Sequence, residues 1–272
     1  MGQSMQYKVY WDDINKRIKR LMGIVLFSII ISAVMLVFFY LLSILALCEV
    51  KFAVELLLSI SDKFPIITVI NVCSMIVSVL YYASIADLGR YEFGFLVTAM
   101  IGFVSFLFNE ISPDVTASAD KMVLLKACAF EMFISLLFYC YYCDAMKKLL
   151  KKMLKRPSEC WGELKKSAFL VTGIYAVIII GLLTIIKVLG NVEKFDSSSY
   201  SYSERLAAYE KYSDMVARRN NTIAILVLIA LGVIVLATII LRIYEYGCLK
   251  YSLPDEIDEE FEENGNANNV TG

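Results

Sequence analysis

The chain has 272 residues, 59% of them hydrophobic, a mean hydropathy of +0.66 and a formal net charge of -1. Its charged residues gather between apolar runs rather than within them, which points to a bilayer as solvent and leaves no room for a separate soluble enzyme domain. Not one histidine occurs, which excludes Ser-His and Cys-His nucleophiles, histidine-ligated zinc and histidine-dependent intramembrane hydrolysis.

Six apolar runs are read as transmembrane helices at about 21–48, 66–85, 91–109, 122–142, 169–189 and 223–243. A helix needs roughly 20 apolar residues to cross a hydrocarbon layer of ~30 Å. Helices of soluble proteins average about 11 to 12 residues and keep a polar stripe. The third run, Phe93 to Phe108, is short, and it spans by counting Tyr91 to Asn109 with some thinning of the bilayer. The predicted fold is all-α: a polytopic membrane bundle of six helices with interfacial amphipathic helices. It forms one membrane domain, 1–253, followed by an acidic disordered tail, 254–272.

The first run follows Lys16, Arg17, Lys19 and Arg20, as the core of a signal peptide would, but Leu21 to Cys48 is 28 residues long. A signal core has roughly 7 to 15, so the run is expected to stay as an anchor. Glu49 to Ser61 reads as a short interfacial helix ended by Pro65. In the second run Asn71, Ser74, Ser78 and Tyr82 fall at i, i+3, i+7 and i+11, a polar stripe on one face. In the third, Gly94, Thr98 and Gly102 make a small-residue ridge for close helix approach, repeated more weakly by Gly173 and Gly181 in the fifth.

The fourth run contains Glu131 near its midplane, where a carboxylate must face the bundle and be paired or protonated. Cys128, Ser135 and Tyr139 share its helical face, so spans two and four are expected to pack with Asn71 or Ser74 donating to Glu131. Lys126 lies about 140° round the helix and reaches for the headgroups. Two meanings compete. Glu131 binds a proton or cation on a transport path, or it merely hydrogen-bonds neighbouring helices, a contact of about 0.6 kcal/mol in membranes. The absence of proline from every span favours the structural reading, because transporters commonly break helices at the midplane.

After the fourth span, 145–156 forms a basic amphipathic helix: Met146, Leu149, Leu150, Met153 and Leu154 on one face, Lys147, Lys148, Lys151, Lys152, Lys155 and Arg156 on the other. Such a segment lies on anionic headgroups or elongates span four. The outer loop, 190–222, holds a capping box at Ser201 to Glu204 and a helix lying on the outer face or extending span six. The tail carries seven acidic residues between Asp255 and Glu263, a candidate clasp for the basic helix.

Sidedness follows from Lys and Arg, which accumulate in the cytoplasm. With both termini cytoplasmic, connecting segments hold sixteen basic residues inside and eight outside. Tyr81, Tyr82, Tyr139, Tyr141, Tyr142, Tyr244, Tyr246 and Tyr251 fall at the cytoplasmic ends of spans two, four and six, as an aromatic belt would.

Seven cysteines, mostly in or beside apolar runs, read as small hydrophobes. No phosphate-binding Gly-x4-Gly-Lys-Ser/Thr loop or paired intramembrane aspartate occurs, and Cys140-x-x-Cys143 with Cys160 and Cys248 has the wrong spacing for a zinc ribbon. We therefore expect no catalytic residue, metal or cofactor, and no enzyme. Nucleic acid is not an expected partner, since the basic helix would leave its apolar face in water. The expected partners are anionic lipid and a membrane protein or a second copy of the chain. The functional expectation is a non-enzymatic component of the cell membrane, a scaffold, assembly or regulatory subunit; the alternative is a transporter or the permease of an exporter using Glu131.

Overall fold

The computed structural model describes residues 2–48, 50–56, 66–111, 121–153, 159–190 and 202–253. Among them every regular element is helical and no strand occurs. Helix α1 (Gly2–Met35) passes through a π-helical turn (Leu36–Leu41) into α2 (Leu42–Leu47). After α3 (residues 51–56) come α4 (Ile66–Leu88), α5 (Gly94–Ile111), α6 (Lys121–Met153), α7 (Glu159–Gly190) and α8 (Tyr202–Tyr251).

Four stretches are long and apolar enough to cross a membrane: Trp11–Leu47, Val69–Leu88, Glu159–Ile185 and Tyr209–Tyr251. Gly94–Phe108 is a shorter apolar helix, while α6 carries Glu131 within its apolar part and runs on into the charged stretch Asp144 to Lys152. Each long helix packs on its neighbour in the chain, and α8 returns to α1, so α1, α4, α5, α6, α7 and α8 close a ring in sequence order.

The ring is inside-out relative to a soluble bundle. Leu26, Phe27 and Ile30 of α1, Ile76 and Leu80 of α4, Val177 and Ile180 of α7, and Val233, Leu236 and Ile240 of α8 are all exposed. So many large apolar side chains on one surface are stable only where water is replaced by lipid or a partner.

Burial concentrates at one end, where α4 and α6 finish and α5 and α7 begin. Ile14, Ile18, Leu21 and Val25 present one stripe of α1 to Ile85, Leu88, Phe95, Tyr142, Met146, Leu149, Trp161, Leu164 and Leu249. The Trp161 indole donates to Ser252 Oγ at 3.0 Å, and Ser252 Oγ donates to the Cys248 carbonyl at 2.7 Å, tying the start of α7 to the end of α8. Charged pairs ring this core. Arg17 bridges Asp13 (3.1 Å) and Asp87, Lys165 meets Asp144 at 2.8 Å, and Lys152 lies 4.0 Å from Glu92. The Tyr91 hydroxyl, in the turn between α4 and α5, donates to Asp13.

Several sequence expectations are corrected. The basic segment continues α6 to Met153, the elongated-span alternative, and its apolar face packs inward: Met146, Leu149 and Leu150 are buried in the bundle, leaving Lys148, Lys151 and Lys152 outside. Lys155 and Arg156 lie outside the described residues. The tyrosines are not a single belt, because Tyr81, Tyr139 and Tyr142 are buried while Tyr141, Tyr244 and Tyr251 are exposed. Among the described residues nothing lies within 4 Å of a Cβ built on Gly173 or Gly181, so neither meets another described helix of this chain. By contrast, a Cβ at Gly94 would sit 3.0 Å from that of Ala145, one at Gly102 would collide with the Tyr82 ring, and Thr98 between them is fully buried.

The outer-loop helix is the first part of α8, which runs 50 residues without a break. Of the interfacial helix after the first span, residues 51–56 are helical. The rest of that segment and the acidic tail beyond Leu253 lie outside the described residues. The π-helical turn has a local partner: Gly232 of α8 would place a Cβ 3.7 Å from that of Tyr40, so α8 crosses close to α1 there.

Candidate functional site

A cavity of about 210 Å³ opens between α6, α7 and α8, and the helical repeat explains its lining. Glu131, Ser135 and Tyr139 stand one turn apart on α6, Ala168, Thr172 and Tyr175 do so on α7, and Ile234, Thr238 and Arg242 on α8. The walls are mixed: Met132, Val171, Ile174, Ala237 and Leu241 supply hydrocarbon between the polar groups. Thr172 Oγ1 donates to the Ala168 carbonyl at 2.8 Å and Thr238 Oγ1 to the Ile234 carbonyl at 2.9 Å. Back-bonding of this kind satisfies each hydroxyl proton within its own helix and leaves the oxygen lone pairs turned to the cavity as acceptors.

Arg242 forms one end of the cavity. Its guanidinium donates to Glu245 Oε2 at 2.7 Å and lies 4.3 Å from the centre of the Tyr81 ring. Tyr81 Oη donates to Glu245 Oε1 at 2.6 Å, so both carboxylate oxygens are engaged, and Glu245 is completely buried. Tyr142, also buried, brings its hydroxyl near the same carboxylate without closing a hydrogen bond. Phe138 packs edge-on against Tyr82 and Tyr139 with centroids 5.8 and 5.5 Å apart. Contributions come from α4, α6 and α8, which alternate around the ring, so this cluster sits at its axis.

Removing either partner of such a pair would strand a charge in low dielectric, at about 3–5 kcal/mol. The pair, its cation–π contact and the surrounding phenols therefore plug the ring below the cavity. Above the plug the cavity is lined by the Glu131 carboxylate, the Arg242 guanidinium paired with Glu245, and hydroxyls. Among the described residues no group of three or more Cys, Asp or Glu is placed to hold a metal ion.

The sequence grouping is thus partly redrawn. Glu131, Ser135 and Tyr139 line one cavity, whereas Asn71 and Ser74 are exposed on α4 and Ser78 is half-buried there, none of them lining it. Of the α4 stripe, only Tyr82 turns inward, where it meets Phe138 of α6; Asn71, Ser74 and Ser78 do not reach Glu131, which α6 turns towards α7 and α8. Sequence reasoning missed the Arg242 and Glu245 pair, treating Arg242 as a cytoplasmic connection. The available signal was their i, i+3 spacing at the end of the sixth run. Protein-family models, curated proteins and solved structures were compared with this chain, and none matches.

Proposed function

We propose that this chain is a six-span integral protein of the cell membrane, with both termini cytoplasmic, that acts without catalysis as a scaffold, assembly or regulatory subunit. The observation that carries this reading is the division of the ring. One end is closed by a dry core and interhelical ion pairs, and the remaining helix surface is apolar and exposed. The closed end is the one rich in Lys and Arg, which supports a cytoplasmic position for it under the positive-inside rule. The exposed faces of α1, α7 and α8 are left for lipid or a membrane partner.

The test is purification from native membranes in mild detergent. A stoichiometric membrane polypeptide copurifying with the chain supports the subunit reading, and its absence from cross-linked native membranes overturns it. Cysteine labelling at both ends, from one compartment only, checks the topology.

A transport reading is favoured by one specific observation, the cavity that joins Glu131 to the plug at Arg242. Glu131→Gln keeps the side-chain shape while removing the charge. Loss of proton- or cation-dependent flux in this variant, with assembly intact, would select transport over the subunit role.

A further inference from the structure

A second polar-to-apolar feature lies on the other side of the ring, between α1 and α4. Two cavities meet there. One, of about 770 Å³, is lined by Arg20, Ser84, Asp87 and Arg90; the other, of about 330 Å³, by Gly23, Phe27, Cys73, Ile76 and Val77. Arg20, Ile24 and Leu80 line both, so they form one groove. Arg20, Gly23, Ile24 and Phe27 occupy one face of α1 at helical spacing, and Cys73, Ile76, Val77, Leu80 and Asp87 one face of α4. From Asp87 to Cys73 the groove descends roughly 20 Å at 1.5 Å per residue, comparable with one leaflet of a ~30 Å hydrocarbon layer.

The mouth carries excess positive charge. Asp13 and Asp87 are engaged by Arg17, and Asp13 also accepts from Tyr91. Arg20 and Arg90 stand only 3.8 and 3.9 Å from Asp87, beyond hydrogen-bonding distance, with side chains 60% and 73% exposed. Three guanidiniums therefore face two carboxylates, and the two outer ones keep their donors for another acceptor. Paired guanidiniums match phosphate oxygens in both charge and geometry. Below them the groove is hydrocarbon, and at Gly23 nothing lies within 4 Å of an added Cβ, which leaves room along α1 for a chain.

We propose that the α1/α4 groove binds one anionic phospholipid, its phosphate held by Arg20 and Arg90 and an acyl chain lying along Gly23, Phe27, Ile76 and Leu80. The proposal rests on the membrane reading above and is independent of the cavity at Glu131. Charge complementarity selects the lipid over a partner helix, which would leave both arginines without acceptors.

The test is lipid retention by the detergent-purified chain, followed by native mass spectrometry with added phosphatidylglycerol or phosphatidylcholine of the same acyl composition. The wild type retains the anionic lipid preferentially, and the R20Q/R90Q double variant loses that preference by roughly tenfold or more. Gly23→Phe, which fills the groove while leaving both arginines, loses retention as well. R20K/R90K keeps part of it. Unchanged gel-filtration and melting profiles certify the fold of each variant.

Equal retention in all variants would overturn the site, as would equal displacement by glycerol phosphate, which would mark a soluble phosphate site. Release of a copurifying polypeptide by Gly23→Phe would also overturn it, since a partner helix would then be the occupant. Carbonate extraction separates the two levels. A chain released from membranes refutes the membrane reading, whereas a chain that stays but shows no lipid preference refutes the groove alone.

Discussion

The two ends of the ring differ in how their apolar side chains are covered. At the closed end, Ile14, Ile18, Leu21, Leu149 and Trp161 are at most 1% exposed and are framed by charged pairs. Towards the other end the same helices turn Val34, Val72, Val177, Val188 and Ile229 outward. A water-driven core can form only where water is near enough to be excluded; within the lipid, apolar burial gains little and helices meet through small residues and shape. The closed end should therefore govern stability, and the lipid-facing surface should tolerate change.

The sharpest way to break that contrast is Arg242→Met. Leaving Glu245 buried and unpaired should cost about 3–5 kcal/mol in denaturant unfolding from micelles, and adding Glu245→Gln should restore most of it. Next comes a pair of glycine substitutions. Gly102→Leu must displace Tyr82 and Phe138 and should cost about 1–3 kcal/mol, whereas Gly181→Leu, which meets no other described helix, should leave the unfolding midpoint unchanged. Equal effects at the two glycines would erase the contrast.

A smaller effect is expected from Ser252→Ala, which keeps the buried Trp161 indole but removes the acceptor of its N–H, about 1 kcal/mol in the same assay. The least is Lys152→Gln: its 4.0 Å approach to Glu92 is exposed on the lysine side, so a loss below about 1 kcal/mol that vanishes in high salt is the expected result.

The helical class and the positions of the long apolar stretches were legible because chain length across a bilayer is set by geometry and composition alone. Facing was not. A helix apolar on all sides has no strong stripe to mark its inward side, so the sparse polar residues become the guide, and they mislead when some are exposed. Asn71 and Ser74 looked like natural donors to Glu131, yet α4 sits elsewhere in the ring. The face of Met146, Leu149 and Leu150 was read correctly as apolar, but periodicity cannot say whether lipid or protein covers it. Arg242 escaped because a charge at the end of an apolar run is ordinarily taken as the start of a loop, and only the third dimension reveals Glu245 and Tyr81 around it.

At 50 residues, α8 is a rod of about 75 Å, well beyond the ~40–45 Å of a bilayer with its headgroups. It carries Arg242 and Glu245 near one end. It has no proline and no break along its length, so the stretch around Tyr209 and the Arg242–Glu245 pair belong to one continuous helix. Turn-to-turn hydrogen bonding therefore runs uninterrupted from that stretch to the axial ion pair.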